Sequence, residues 1–168
     1  MSLTLLFDLD DTLLNTNMEA FIPAYFQGLS KHVAGYVSPE AMFPALMGGT
    51  RLMMKSEDPA QTLQEVFEAY FYPNLGVSKK DLYPVIEQFY DEIFPSIGNH
   101  TSQRPEAVRL IEWVISCGFR VAIATDPLFP RKATHHRLHW AGFNPEQFDL
   151  VTTFENFHFT KTFPAYYA

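Results

Sequence analysis

The sequence has very little cysteine, and this scarcity limits the setting in which the protein works. Cys117 is its single cysteine, so the 168 residues contain no partner for an internal disulfide. The first residues also lack the basic start and the long apolar core of a secretory signal peptide. We therefore expect a reducing, cytoplasmic setting, with Cys117 as a small buried residue at the end of a helix.

Positive charge is scarce as well. The sequence has 12 lysines and arginines against 19 aspartates and glutamates, which gives a formal net charge of -7. A chain with this balance has no basic stripe that could bind a nucleic-acid backbone or an anionic membrane surface. No apolar run approaches the ~20 residues of a membrane-spanning helix. We therefore expect a globular protein with a small-molecule ligand and with no nucleic-acid or membrane partner.

Two short apolar runs end abruptly in acidic or small polar residues. The run at residues 3–7 leads into the acidic segment 8–11, and the run at 121–124 leads into Thr125 and Asp126. Such runs are typical of buried parallel strands whose carboxyl ends open on a polar site. The sequence therefore predicts that both strands deliver polar residues to one edge of a sheet.

The stretch from residue 15 to residue 97 has a helical pattern. Its apolar residues recur at three- and four-residue spacing, as on one face of a helix. Prolines and a pair of glycines divide it into about four helices, and we expect the third to begin near a cap at residues 56–59. Further helices are predicted at about 105–117 and 131–141.

The order of these elements predicts an α/β fold class. A third strand near residues 149–153 completes the order strand, helical insertion, helix, strand, helix, strand. This order favours a doubly wound parallel sheet with helices on its faces. Residues 1–14 and 98–168 would form this core, and residues 15–97 would form a helical cap inserted after the first strand.

Asp8 and Asp10 are the residues that indicate which reaction the protein could catalyse. Hydrolysis of a phosphate ester needs a nucleophile, a proton donor for the leaving oxygen and positive charge around the phosphoryl group. Two carboxylates placed two residues apart at a strand end could divide the first two tasks between them. Crowded carboxylates also favour a hard divalent cation with oxygen ligands, and Mg²⁺ is the usual choice.

Three segments together resemble the haloacid dehalogenase (HAD) superfamily. They are residues 5–13 (LLFDLDDTL), residues 121–126 (VAIATD) and residues 156–164 (NFHFTKTFP) around Lys161. In this order they are similar to the superfamily's first three motifs, which lie on a Rossmann-like core. A helical insertion directly after the first motif resembles the small cap that closes over the active site in many members.

The resemblance implies a role for each site residue. Asp8 would be the nucleophile that forms an aspartyl-phosphate, Asp10 the general acid and then base, and Thr12 a brace for the turn. Thr125, with the neighbouring Asp126, and Lys161 would bind the phosphoryl group. The Asp8 carboxylate and the Asp10 backbone carbonyl would hold Mg²⁺.

The resemblance also narrows the reaction and its substrate. Members that have an aspartate at the position of Asp10 protonate a leaving alkoxide, so a Mg²⁺-dependent phosphoric monoester hydrolase acting on a small phosphorylated metabolite is implied. Arg51, beside two glycines within the cap, could meet an anionic part of that substrate.

One motif of the superfamily has no counterpart in this sequence. The fourth motif is an acidic pair after one further strand, and the sequence has no such pair beyond Lys161. We therefore expect a core that is truncated on its C-terminal side. The first strand would then have an unpaired edge that favours self-association.

Two alternatives to the hydrolase stay open. The chain could be a catalytically incomplete fragment or a degenerate relative that only binds phosphate or a protein partner. Within the same chemistry it could be a phosphomutase, which uses the same acids and differs in how its cap excludes water.

Overall fold

The computed structural model describes residues 3–168, which form five strands and seven helices together with short 3₁₀ turns. The strands are β1 (Thr4–Phe7), β2 (Leu14–Thr16), β3 (Thr101–Gln103), β4 (Arg120–Ile123) and β5 (Leu150–Val151). The helices are α1 (Met18–His32), α2 (Pro39–Met53), α3 (Leu63–Leu75), α4 (Lys79–Glu92), α5 (Phe94–Ile97), α6 (Pro105–Ser116) and α7 (Arg131–Trp140).

The central sheet is parallel and has the strand order β1-β4-β5. Phe7 pairs with Ile123, and Ile123 pairs in turn with Val151. The carboxyl ends of the three strands therefore lie at the same edge. The α/β fold class predicted from the sequence is confirmed, including the parallel sheet and the helices that connect its strands.

A second, two-stranded sheet was not predicted. β2 pairs antiparallel with β3, so that Leu14 lies opposite Gln103 and Thr16 opposite Thr101. The two strands are only three residues long and lie far apart along the chain, so no local pattern indicates their pairing. They connect the two ends of the helical stretch to the parallel sheet.

The helices α2, α3 and α4 begin at residues whose side chains cap their first turns. Ser38, Thr62 and Ser78 each accept a hydrogen bond from a backbone N–H three residues along the chain. At Thr62 the cap is reciprocal, because the Glu65 carboxylate accepts from the Thr62 backbone N–H at 2.7 Å. The third helix therefore begins at Leu63, and the start expected near residues 56–59 was wrong.

Buried apolar residues form two clusters. One lies among α1 to α5 and includes Phe21, Leu82 and Phe94, while the other surrounds the parallel sheet and includes Ile111 and Ile123. Trp140 packs against both clusters. α7 therefore lies between the helical layer and the sheet, which matters for the site described below.

The structure also bears on the expected burial of Cys117 and on the character of the helices. Cys117 is exposed at the end of α6, so the expectation of a buried cysteine was wrong. Within residues 3–168 no helix is long and apolar enough to cross a membrane.

We expect the helical cluster to weaken when His136 is protonated. Its ring lies 6.0 Å from Phe94 and 6.4 Å from Trp140 between ring centroids, and burial lowers the pKa of His136 below its ordinary value. Because the unfolded chain takes up the proton first, stability falls as the pH drops below about 6.5, down to the lower pKa of the folded state. Thermal unfolding from pH 7 to pH 5 measures this fall.

His136→Phe keeps a ring in contact with Phe94 and Trp140 but removes the proton site. Its unfolding midpoint should fall less over this pH range, although burial lowers the pKa of His135 as well and part of the fall remains. His139→Phe on the exposed face of α7 is the matched control and should keep most of the pH dependence, because burial lowers the pKa of His136 more than the charge of His139 does. An unchanged slope in His136→Phe would contradict the assignment.

Candidate active site

One carbonyl group accepts three of the backbone hydrogen bonds in the turn that follows β1. The Leu9 carbonyl accepts from the backbone N–H groups of Thr12, Leu13 and Leu14, at 3.3, 2.9 and 2.9 Å. Asp11 has a φ of +53°, a left-handed conformation that aspartate adopts more readily than most residues. The chain therefore reverses sharply here, and Asp8 and Asp10 stand at the start of the reversal.

Thr16 and Asp11 fix the far side of this turn. The Thr16 hydroxyl donates to Asp10 Oδ1 at 3.1 Å, and the Thr16 backbone N–H donates to Asp11 Oδ1 at 3.2 Å. Thr12, which the resemblance named as the brace, has an exposed side chain and contributes its backbone N–H to the Leu9 carbonyl. The side-chain bond to Asp10 comes from β2, which the sequence had not revealed.

The second loop follows β4 at the same edge of the sheet. The Ala124 backbone N–H donates to the Phe7 carbonyl at 2.7 Å, so Thr125 follows directly beside the β1 turn. Thr125 is buried, and its carbonyl accepts from the hydroxyls of Thr152 and Tyr166 at 2.7 and 2.9 Å. These bonds fix the backbone of Thr125 from two directions.

Lys161 joins the two loops. Its Nζ donates to Asp8 Oδ1 at 2.9 Å, and its backbone N–H donates to Asp126 Oδ1 at 3.1 Å. Both side chains of the ion pair stay partly open to solvent, with 28% of the Lys161 side chain and 38% of the Asp8 side chain exposed. The structure thus brings together Asp8, Asp126 and Lys161 from three separate segments.

Arg137 is a charged residue of the site that sequence reasoning missed. Its guanidinium forms an ion pair with the Asp10 carboxylate, and its side chain is only 2% exposed. Burial lowers the pKa of Arg137 to about 10, and the nearby Asp8 carboxylate opposes this shift. The arginine therefore stays protonated at neutral pH and brings a second cation to the carboxylate turn.

A signal for Arg137 was present in the sequence. It stands on α7 in register with the buried residues Ala133 and Ala141, at four-residue spacing. A charged residue within a buried helical face needs a partner of opposite charge. That requirement alone could have identified Arg137 as a buried cation with an acidic partner.

Arg51 is not brought to this site. It is exposed in the last turn of α2, and its Nε donates to the Met47 carbonyl of the same helix at 3.2 Å. Among the described residues it makes no ion pair or hydrogen bond with Asp8, Asp10, Thr125 or Lys161. Its binding role stays a prediction.

The described residues include no cluster of side chains arranged to bind a metal ion. In residues 3–168 no group of three or more histidine, cysteine, aspartate or glutamate side chains is arranged to hold a metal ion. Any metal at the turn after β1 would therefore need ligands beyond side chains of these types, such as backbone carbonyls, water or the substrate.

Comparisons with known proteins give similar solved structures only. No family model and no curated protein matches the sequence. A mutant of CbbY from Rhodobacter sphaeroides, in complex with xylulose-(1,5)bisphosphate, is 18% identical with a TM-score of 0.49, and the match covers 99% of this chain and 70% of that one.

Two further structures have the same level of similarity. A predicted phosphoglycolate phosphatase from Haemophilus somnus is 17% identical with a TM-score of 0.48, and a Thermotoga maritima protein provisionally named beta-phosphoglucomutase is 19% identical with the same score. Each match covers 99% of this chain and 68% of the other.

Proposed function

We propose that this chain is a HAD-type phosphoric monoester hydrolase that acts on a small phosphorylated metabolite through an aspartyl-phosphate. The observation that carries the proposal is the position of Lys161. A single residue donates to Asp8 with its side chain and to Asp126 with its backbone, so that two carboxylates from different loops and one cation converge at one edge of the sheet. This is the arrangement that a phosphoryl group requires.

The proposed reaction has two steps. An Asp8 carboxylate oxygen attacks phosphorus, the bond from phosphorus to the leaving oxygen breaks, and Asp10 gives that oxygen a proton. Water then attacks the phosphorus of the aspartyl-phosphate while Asp10 takes its proton, which releases phosphate and regenerates Asp8. Lys161 would offset the negative charge of Asp8 and of the phosphoryl oxygens, and Thr125 would bind those oxygens.

The turn after β1 can offer Mg²⁺ one side-chain ligand and one backbone ligand. Mg²⁺ commonly binds one or two carboxylates and completes its coordination with water and substrate phosphate oxygens. The Asp8 carboxylate is partly exposed, and the Asp10 carbonyl accepts none of the backbone hydrogen bonds that form the turn in the described residues. We propose these two groups as ligands, and the ion would supply charge neutralisation to the phosphoryl group.

In this proposal the helical stretch 15–97 is a cap over the carboxylate turn. Its helices pack on one another through the cluster that includes Phe21 and Phe94, and Trp140 of α7 connects this cluster to the sheet. We infer that the stretch covers the carboxylate turn and limits access to it. Self-association through β1, which pairs only with β4 among the described strands, is a further proposal.

One observation favours a non-catalytic alternative. The Asp10 carboxylate is held by Arg137, and in residues 3–168 no three histidine, cysteine, aspartate or glutamate side chains are grouped to hold a metal ion. A protein with this geometry could bind phosphate through Lys161 and Arg137 without turning over. A phosphomutase would use the same groups, so we retain it within the class.

Turnover of p-nitrophenyl phosphate separates these possibilities. The hydrolase should release p-nitrophenol in the presence of Mg²⁺ and lose this activity in excess chelator. Lys161→Met should lower kcat by about 10²- to 10³-fold, because a charge aimed at the phosphoryl group is worth that much in the transition state. Lys80→Met, an exposed lysine on α4, is the matched control and should leave the rate unchanged.

The binding alternative predicts a different result. Inorganic phosphate would then bind to the wild type and more weakly to Lys161→Met, with no turnover at any Mg²⁺ concentration. Equal rates in the wild type and Lys161→Met would contradict the proposed site.

A further inference from the structure

A large cavity lies within the helical part of the chain. Its volume is about 760 Å³, and α1 to α4 form most of its wall. Residues 128–130 and Phe154 close it on the side of the parallel sheet. The wall is mainly aromatic and aliphatic, and typical members are Tyr25, Phe67, Phe71, Tyr90 and Phe129.

A cavity of this size is not ordinary packing. Protein interiors are filled to the density of organic crystals, whereas this space is partly open to solvent and lined by apolar side chains. Small-molecule sites have volumes of about 300–1,000 Å³, with apolar walls and a few polar groups. The cavity falls within this range, which favours a ligand as the reason for the space.

The polar groups of the wall are neutral or already paired. The hydroxyls of Tyr25 and Tyr90 are hydrogen-bonded to each other at 2.9 Å, and burial raises the pKa of Tyr25 to about 12. Glu68 forms an ion pair with Lys79 at 2.6 Å, and Glu87 forms one with Lys132 at 2.9 Å. The described lining residues include no lysine, arginine or histidine.

This wall rejects a phosphoryl group and disfavours a sugar. An anion would find no cation there and would face two carboxylates. The hydroxyls of a polyhydroxylated group would lose water and meet mainly aromatic carbon, since few partners in the wall are free. An uncharged apolar group is the chemistry that the wall accepts.

The Arg137 side chain connects the wall of the cavity to the carboxylate turn. Phe129, a wall residue, is four positions after Thr125, and the guanidinium carbon of Arg137 lies 5.1 Å from the centre of its ring. The same guanidinium is paired with Asp10. The cavity and the carboxylate turn are therefore connected through Phe129 and Arg137, and an ester bound at Asp8 would extend past these side chains to place its other end in the apolar space.

We propose that the cavity binds the apolar leaving group of the substrate, an alkyl or aryl alcohol esterified to the phosphate. This proposal rests on the proposed function, because it assigns the phosphoryl group to the turn after β1. It narrows the substrate class from small phosphorylated metabolites in general to phosphate monoesters with an uncharged, poorly hydroxylated alcohol.

A series of n-alkylphosphonates tests the cavity without requiring turnover. Calorimetric titration in the presence of Mg²⁺ should give a dissociation constant that falls about fourfold for each added methylene from methyl to hexyl, because each methylene leaves water for an apolar wall. The n-alkyl alcohols of the same lengths should show the same increment from a weaker starting point. A hydroxyl on each carbon of the chain should abolish the gain.

Paired variants assign this gain to the cavity. Phe43→Ala trims a half-exposed ring at the rim and should weaken hexylphosphonate binding severalfold, whereas Tyr36→Ala, a half-exposed ring outside the lining, should not. Leu46→Trp fills the space from α2 and should remove most of the gain, with Leu52→Trp on the exposed face of the same helix as its control. If Leu46→Trp fails to fold, Phe43→Ala still decides.

The outcomes separate the two proposals. Lys161→Met should remove the advantage of the phosphonate over the alcohol and leave the gain per methylene. A phosphonate advantage with no gain per methylene overturns the cavity proposal and leaves the proposed function intact. A gain per methylene with no phosphonate advantage shows an apolar site that does not serve this reaction. This result overturns both the proposed function and the assignment of the cavity to the leaving group.

Discussion

Asp8→Asn is expected to abolish turnover of p-nitrophenyl phosphate and to lower kcat by about 10⁴-fold or more, as the loss of a covalent nucleophile does. The amide has nearly the shape of the carboxylate but cannot attack phosphorus. Because 38% of the Asp8 side chain is exposed, the unpaired Lys161 Nζ can be hydrated, and the fold should be preserved. Rates at saturating Mg²⁺, together with thermal unfolding of the variant, measure both effects.

Asp11→Asn is the matched control for this substitution. It makes the same chemical change within the same turn, asparagine tolerates the left-handed φ of this position, and its amide oxygen can still accept from the Thr16 backbone N–H. Its rate should stay within a few-fold of the wild type. Turnover above a tenth of the wild-type rate in Asp8→Asn would contradict a nucleophilic Asp8.

The sequence predicted the parts of the site that belong to continuous segments. β1 and β4 are apolar runs that end in polar residues, and this pattern is visible within a few residues. Because parallel strands end at the same edge of a sheet, the position of Asp8 beside the loop of Thr125 followed from the fold class. Lys161 was predicted from its segment alone, and the structure brings it to Asp8.

The parts that the sequence did not reveal depend on pairing between distant segments. β2 and β3 are three residues each, and the bond from Thr16 to Asp10 depends on where that pairing places β2. The cavity is a property of how four helices and two loops leave space between them, which hydrophobic spacing cannot show. The spacing on α7 indicates that Arg137 is buried, but it does not indicate that the partner is Asp10, 127 positions away along the chain.

The ion pair between Asp10 and Arg137 is asymmetric in its burial. The Arg137 side chain is 2% exposed and the Asp10 side chain is 22% exposed. The Nε atom of Arg137 has no hydrogen-bond partner among the described residues, so the charge depends strongly on its one carboxylate. Asp10 has a second partner in the Thr16 hydroxyl and is partly open to water. We therefore expect the loss of Asp10 to destabilise the fold more than the loss of Arg137.

Asp10→Ala should destabilise the fold by about 3–5 kcal/mol, because it leaves a buried guanidinium without a partner. In a chain of 168 residues this loss lowers the unfolding midpoint by about 10 °C. Arg137→Met keeps most of the volume and the contact with Phe129, and it leaves a carboxylate that water and Thr16 can solvate. Its loss should be about 1.5–3 kcal/mol, the usual cost of a lost hydrogen bond to a charged group.

The double variant Asp10→Ala, Arg137→Met decides whether the burial of the arginine is the cause. Because it removes both charges, it should be more stable than Asp10→Ala alone and close to Arg137→Met. Chemical denaturation of all four proteins at pH 7 gives the coupling free energy from the closed cycle. Additive losses, or a double variant less stable than Asp10→Ala, would mean that Arg137 does not depend on Asp10, and the guanidinium would then need another partner in the folded protein.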